Sequence, residues 1–137
     1  MAEALKARND LPRLARLAEK SGANAWLQAA VFSSCPGRAK ELLLEVSAQT
    51  SPVFLEQAAK LLAKEEPADQ LQAVVRTLLE EKKEWNFSQR IAFLLGFAEK
   101  IRKPFFDQLQ PNARKASLNS ELPLAERLLA IRFLSID

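Results

Sequence analysis

The sequence has no histidine, no tyrosine, one cysteine (Cys35) and only three glycines in 137 residues. Each shortage removes a class of chemistry. Without histidine, the chain holds no Ser-His-Asp triad, no His/Cys zinc site and no Cys-x-x-Cys-His haem attachment of its own. A lone cysteine makes no internal disulfide and leaves the compartment open, and with no histidine to activate it Cys35, just before Pro36, reads as a turn or core residue rather than a nucleophile. No Gly-rich phosphate loop, Asp-x-Asp calcium loop or nucleophile elbow occurs. Long apolar runs are also missing, and Met1 to Glu19 alternates charge with Ala and Leu instead of carrying a signal-peptide centre. The chain is therefore expected to bind no cofactor and no metal, to do no catalysis itself, and to insert into no membrane.

What remains is an ordinary globular composition, 48% hydrophobic and 27% charged, in a length that suits one compact domain or a short array of stacked repeats. Twenty basic and 17 acidic residues are interspersed, so the net charge of +3 is a mild bias. Leu and Ala dominate, which favours helix.

Apolar spacing follows the helical period in several places. Leu71, Val74, Val75, Leu78 and Leu79 form an i, i+3, i+4, i+7, i+8 stripe. Ala39, Leu42, Leu43 and Val46 repeat the pattern, as do Phe54, Ala58, Leu61 and Leu62, and Ile91, Leu94, Leu95 and Ala98. Pro36, Pro52, Pro67, Pro104, Pro111 and Pro123 stand where a first-turn proline starts a helix. Ser51, Asn24 and Asn86 are N-cap residues by type, and Gln89 three positions after Asn86 completes a capping box. These signals predict helices near 11–20, 24–34, 36–48, 51–64, 67–82, 87–100, 104–109, 112–118 and 123–134. Gly96 is expected to serve close helix approach, and Arg102 to Leu122, with its two prolines, to be the most loosely packed stretch.

Paired in order, these helices make about four antiparallel hairpins, the last one interrupted. Their second helices start near Asn24, Ser51, Asn86 and Leu122, about 27 to 36 residues apart, which is the helical-repeat range. A solenoid accounts for this spacing better than the alternative, a closed four-helix bundle.

Asn24-Ala25-Trp26-Leu27-Gln28-Ala29-Ala30-Val31 and Pro123-Leu124-Ala125-Glu126-Arg127-Leu128-Leu129-Ala130-Ile131 resemble the second helix of a HEAT repeat, with Asn24 in place of the Asp, Ala25 of the Pro and Gln28 of the Arg. Arg127 is the better counterpart of that arginine. The fold this implies is all-α, a right-handed α-α superhelix of the HEAT/ARM kind spanning residues 1–137 as one domain. Trp26 to Ser34 with Gly37 to Leu43, Arg90 to Glu99 and Glu126 to Leu134 are similar, in order, to the helical-repeat region of large bacterial membrane-bound dehydrogenases. In that family the region lies between a sugar-dehydrogenase-like β-propeller and a cytochrome c domain. The resemblance implies a spacer or docking scaffold in an exported redox protein, with domains of the same parent chain or another protein as partners. The apolar stretch running into Phe133-Leu134-Ser135-Ile136-Asp137 fits a segment of such a longer protein.

Trp26, one turn before Ala30, is expected in the core. Trp85 with Phe87 is expected to plug a hairpin, an exposed contact site being its alternative. Lys100, Arg102 and Lys103, followed by Pro104-Phe105-Phe106, combine charge with aromatics, the chemistry that holds phosphates and stacks bases; the same pattern suits a helix C-terminus whose cations complement the dipole. Lys100, Arg102, Lys103, Phe105, Phe106 and Trp85 are thus the candidate partner surface. Arg13, Arg16 and Lys20 form a basic face that reads as solvated, as do the carboxylates Glu65-Glu66 and Glu80-Glu81. The alternative function is nucleic-acid binding of the HEAT-like alkylpurine DNA glycosylase type, which the scattered charge and the lack of an equivalent catalytic Asp disfavour.

Overall fold

The computed structural model describes residues 11–21, 24–34, 37–47 and 49–135, and within them the chain is all helical. Cys35, Pro36 and the first ten residues lie outside the described residues, and with them the expectations placed there. The elements are α1 (Leu11–Ser21), α2 (Ala25–Ser33), α3 (Ala39–Glu45), α4 (Pro52–Glu65), α5 (Ala68–Glu81), α6 (Phe87–Leu95), α7 (Glu99–Leu118) and α8 (Leu124–Ser135).

Local chemistry explains three of the starts. The Asn24 side chain accepts from the Trp26 and Leu27 amides at 3.0 and 3.2 Å. Ser51 accepts from Val53 N with Pro52 in the first turn. Asn86 and Gln89 form the reciprocal capping box, at 2.8 and 2.9 Å. Gln89 is itself buried and donates its side-chain amide to the Thr50 carbonyl at 2.8 Å, so the α6 cap also fixes the turn before α4. The start of α3 has no such local cap, because Arg38 makes no side-chain bond there. Glu65 supplies it from the far end of α4, accepting from Gly37 N at 3.0 Å and Ala39 N at 2.9 Å. This contact sets α3 and α4 antiparallel, and it gives Glu65 a role beyond the solvated one its sequence position suggests.

Three boundaries depart from expectation. The described part of α3 is only Ala39–Glu45. The helix expected over 87–100 stops at Leu95 with Gly96 as its C-cap, and Ala98 is the exposed N-cap residue of α7, not part of the α6 stripe. The helices expected at 104–109 and 112–118 are one element of 20 residues that holds Pro104 and Pro111 inside it.

Backbones approach most closely between α4 and α6 and between α7 and α8; α1 meets α2 and α3, α3 meets α4 and α5, and α6 meets α7 and α8. The Arg102 to Leu122 stretch is therefore tied into the fold by one of its closest helix pairs. α6, buried at every position from Ile91 to Leu95, is the central wall. On one side of it lies the main core of α1 to α6 and the start of α7, including Leu42, Leu43, Phe54, Leu62, Leu78, Phe93 and Phe97. A smaller cluster holds Ile91, Leu95, Ala113, Ala130 and Phe133. Leu109 packs against both.

The α4–α6 approach depends on Gly96. A Cβ there would collide with the Ala59 side chain and sit 2.5 Å from the Glu56 carbonyl oxygen. Its backbone is ordinary right-handed helix (φ −73), so the requirement is space. Gly37 is the opposite case, with φ +73 and open surroundings, where conformation is the requirement.

Candidate functional site

The basic and aromatic residues singled out in the sequence separate in the structure. Lys100 and Lys103 are exposed. Phe105 is buried in the main core, and Phe106 is turned toward α8, its ring 5.3 Å from that of Phe133. Trp85 is 2% exposed and meets Phe93 edge-on at 5.3 Å. It is a core plug, as its position between two helices suggests, and contributes to no surface. Cations outside and rings inside make no stacking platform.

The three cations also sit in the first turns of α7, where the dipole disfavours positive charge, rather than at a helix C-terminus. Arg102 resolves this by reaching back to donate Nη1 to the carbonyl of Phe97, just past the end of α6. Burial pulls its pKa below the ordinary value, and Glu99 partly opposes that shift.

Trp26 lies on the surface and not in the core, at 88% exposure. Its helix starts at Ala25 and buries Gln28 and Val31 instead, with Phe32 stacked on Phe54 of α4 at 4.9 Å. In a helix with apolar residues on every side, the pattern alone does not say which one faces out.

Other residues with defined geometry come from outside the sequence candidates. Arg90 on α6 donates Nε to Trp85 O at 3.1 Å, Nη1 to Leu79 O at 3.2 Å and Nη2 to Lys82 O at 3.1 Å. One guanidinium thus ties the last turn of α5 to the loop that follows it, an arrangement the planar fork suits and an ammonium does not. Beside it, Lys82 pairs with Glu84 at 3.3 Å. The Glu84 carboxyl is held below its usual range chiefly by a hydrogen bond from its own backbone amide, aided by Lys82 and Arg90 and opposed by slight burial.

Arg132 on α8 makes a bidentate pair with Glu56 on α4, at 3.0 and 2.9 Å. That hydrogen-bonded pairing raises the arginine pKa against the smaller effect of burial. Lys60 stands 3.7 Å from the same carboxylate. Arg127, the expected repeat arginine, is half-buried, and its Nε has no hydrogen-bond partner among the described residues.

Two features are open to a partner. The first is a cleft of about 300 Å³ lined by Arg76, Leu79, Glu80, Arg90, Pro104, Phe105, Gln108 and Leu109, where α5, α6 and α7 meet. Of the sequence candidates only Phe105 contributes to it. The second is the outer face of α8, where Leu124, Leu128 and Ile131 are exposed at i, i+4 and i+7, with Leu118 at 85% exposure just across the turn. Among the described residues no group of three or more acidic or cysteine side chains is gathered as a metal site. No helix among them is long and apolar enough to cross a membrane. The chain matches no family model, and comparison with curated proteins and with solved structures returns no similar protein.

Proposed function

We propose that this chain is a non-catalytic helical-repeat module that docks or spaces protein domains, a HEAT-like solenoid segment of the kind the sequence resembles in large membrane-bound dehydrogenases. The observation that carries the reading is α8. Its inner side fills the small core through Ala130 and Phe133, while its outer side presents Leu124, Leu128 and Ile131. Contiguous exposed apolar patches mark interaction sites.

Support for a stacked arrangement comes from the contact order. α1 meets α3, α3 meets α5, α4 meets α6 and α6 meets α8, while α1 pairs with α2, α3 with α4 and α7 with α8. Contacts between alternate helices and between hairpin partners are features of a repeat array, in which each unit contacts its neighbours.

The test is a pull-down between this chain and the isolated propeller and cytochrome domains of such a dehydrogenase, repeated with Leu128→Glu and Ile131→Glu. Binding that these exposed substitutions abolish is the expected result. No association, or association indifferent to both, overturns the docking role.

A further inference from the structure

We propose that the cleft among α5, α6 and α7 is a binding site for a single carboxylate flanked by a bulky apolar side chain, as an acidic peptide segment offers.

Its lining mixes two chemistries: Leu79, Pro104, Phe105 and Leu109 are apolar, and Arg76, Arg90, Glu80 and Gln108 are polar. Arg76 is the free cation of the site. Its guanidinium carbon stands 5.9 Å from the Phe105 ring centroid, and no carboxylate among the described residues pairs with it. The ring attracts the guanidinium without neutralising it. Arg90 differs, because three of its five N–H groups already donate to main-chain carbonyls, which fixes its guanidinium in place and leaves one N–H on each Nη. The Gln108 amide adds a neutral donor and acceptor.

Charge and size then select the ligand. With Arg76 and Arg90 positive and Glu80 negative, the lining sums to one positive charge, which suits a monoanion better than a phosphate dianion, whose second charge would be left unmatched beside Glu80. A volume of about 300 Å³ is at the small end of ligand sites. It takes one or two side chains, and the apolar wall requires that one of them be hydrophobic. The opening exists because α5 and α7 are not among the closely approaching helix pairs, whereas α4, α6 and α8 are close-set. The site lies on other elements than the α8 face, so either reading can fail without the other.

The probe is a blocked pentapeptide with glutamate between leucine and phenylalanine, titrated into the ¹⁵N-labelled full chain and followed by NMR. Saturable shifts of the Gln108 side-chain amide and the Arg76 Nε–H are expected. Arg76→Gln, or glutamine in place of the peptide's glutamate, should weaken binding about tenfold or more, the scale of one lost charge-assisted hydrogen bond. Gln108→Glu, on an exposed position, should abolish it by adding a second carboxylate, and serves if Arg76→Gln perturbs the fold. Absence of shifts at millimolar peptide, shifts unchanged in both variants, or a stronger response to inorganic phosphate than to the peptide would each overturn the assignment.

Discussion

Gly96 does with one missing atom what no other residue in its position can do. Its contacts are backbone and Cβ atoms of α4, not the yielding ends of long side chains, so an added methyl is accommodated only by moving one helix against the other. Gly96→Ala is expected to destabilise the protein by about 1–3 kcal/mol, the range for overpacking a filled core, even though alanine is the better helix former. Urea unfolding checks this: a lower midpoint with unchanged slope is expected, and equal or higher stability would show that the helices already have room. The same corner carries the Glu56–Arg132 pair, which joins α4 to α8 beside Gly96. These residues differ in how legible they are in sequence. The Asn86–Gln89 capping box is readable because its partners are three positions apart and the geometry is local. Glu56 and Arg132 are 76 positions apart, and nothing in either's neighbourhood specifies the other. Trp26 and Trp85 show the same division: a tryptophan's burial depends on which helix faces it, and only the hairpin position of Trp85 carried that information locally.

At the scale of elements, α7 shows packing overriding a local signal. Pro104 and Pro111 each lack the amide that the helix ladder needs, and an interior proline costs about 3 kcal/mol, which is why the sequence reads as two short helices. Yet Ile101, Phe105, Leu109 and Ala113 recur every four residues straight through both prolines and bury one face. A break at either proline would have turned part of that stripe away from α6 and α8. Most helices and their caps were legible because period and cap are both local; the join within α7, the early stop at Leu95 and the Arg90 clamp on α5 were not, because each is set by a neighbouring element. Pro111 is exposed, so replacing it removes the missing-donor cost with no loss of packing. Pro111→Ala is expected to raise stability by about 1–3 kcal/mol, less the entropy that proline removes from the unfolded chain. Thermal denaturation followed by circular dichroism reads this directly, and a fall in Tm would mean that α7 is interrupted at that point.

Across the whole molecule, the division into a large and a small core predicts unequal stability. The main cluster draws on α1 through α6 and the start of α7, whereas the second cluster rests on five buried residues, of which Ile91 and Leu95 belong to α6. α6 is held from both sides, but α8 and the second half of α7 are held mainly through the small cluster, the Phe106–Phe133 contact and the Arg132–Glu56 pair. Elements held by fewer buried contacts open locally at lower free energy than those in the main core. Amide hydrogen exchange should therefore show α8 and residues 109–118 exchanging through a smaller opening free energy than α4 and α6. Phe133→Leu sharpens the test, because it trims the small core without touching the large one. It is expected to lower protection in α7 and α8 by about 1–2 kcal/mol while leaving α3 and α4 unchanged. A uniform loss of protection would instead mean that the two clusters unfold as one cooperative unit, and the picture of stacked, separable layers would give way to that of a single closed bundle.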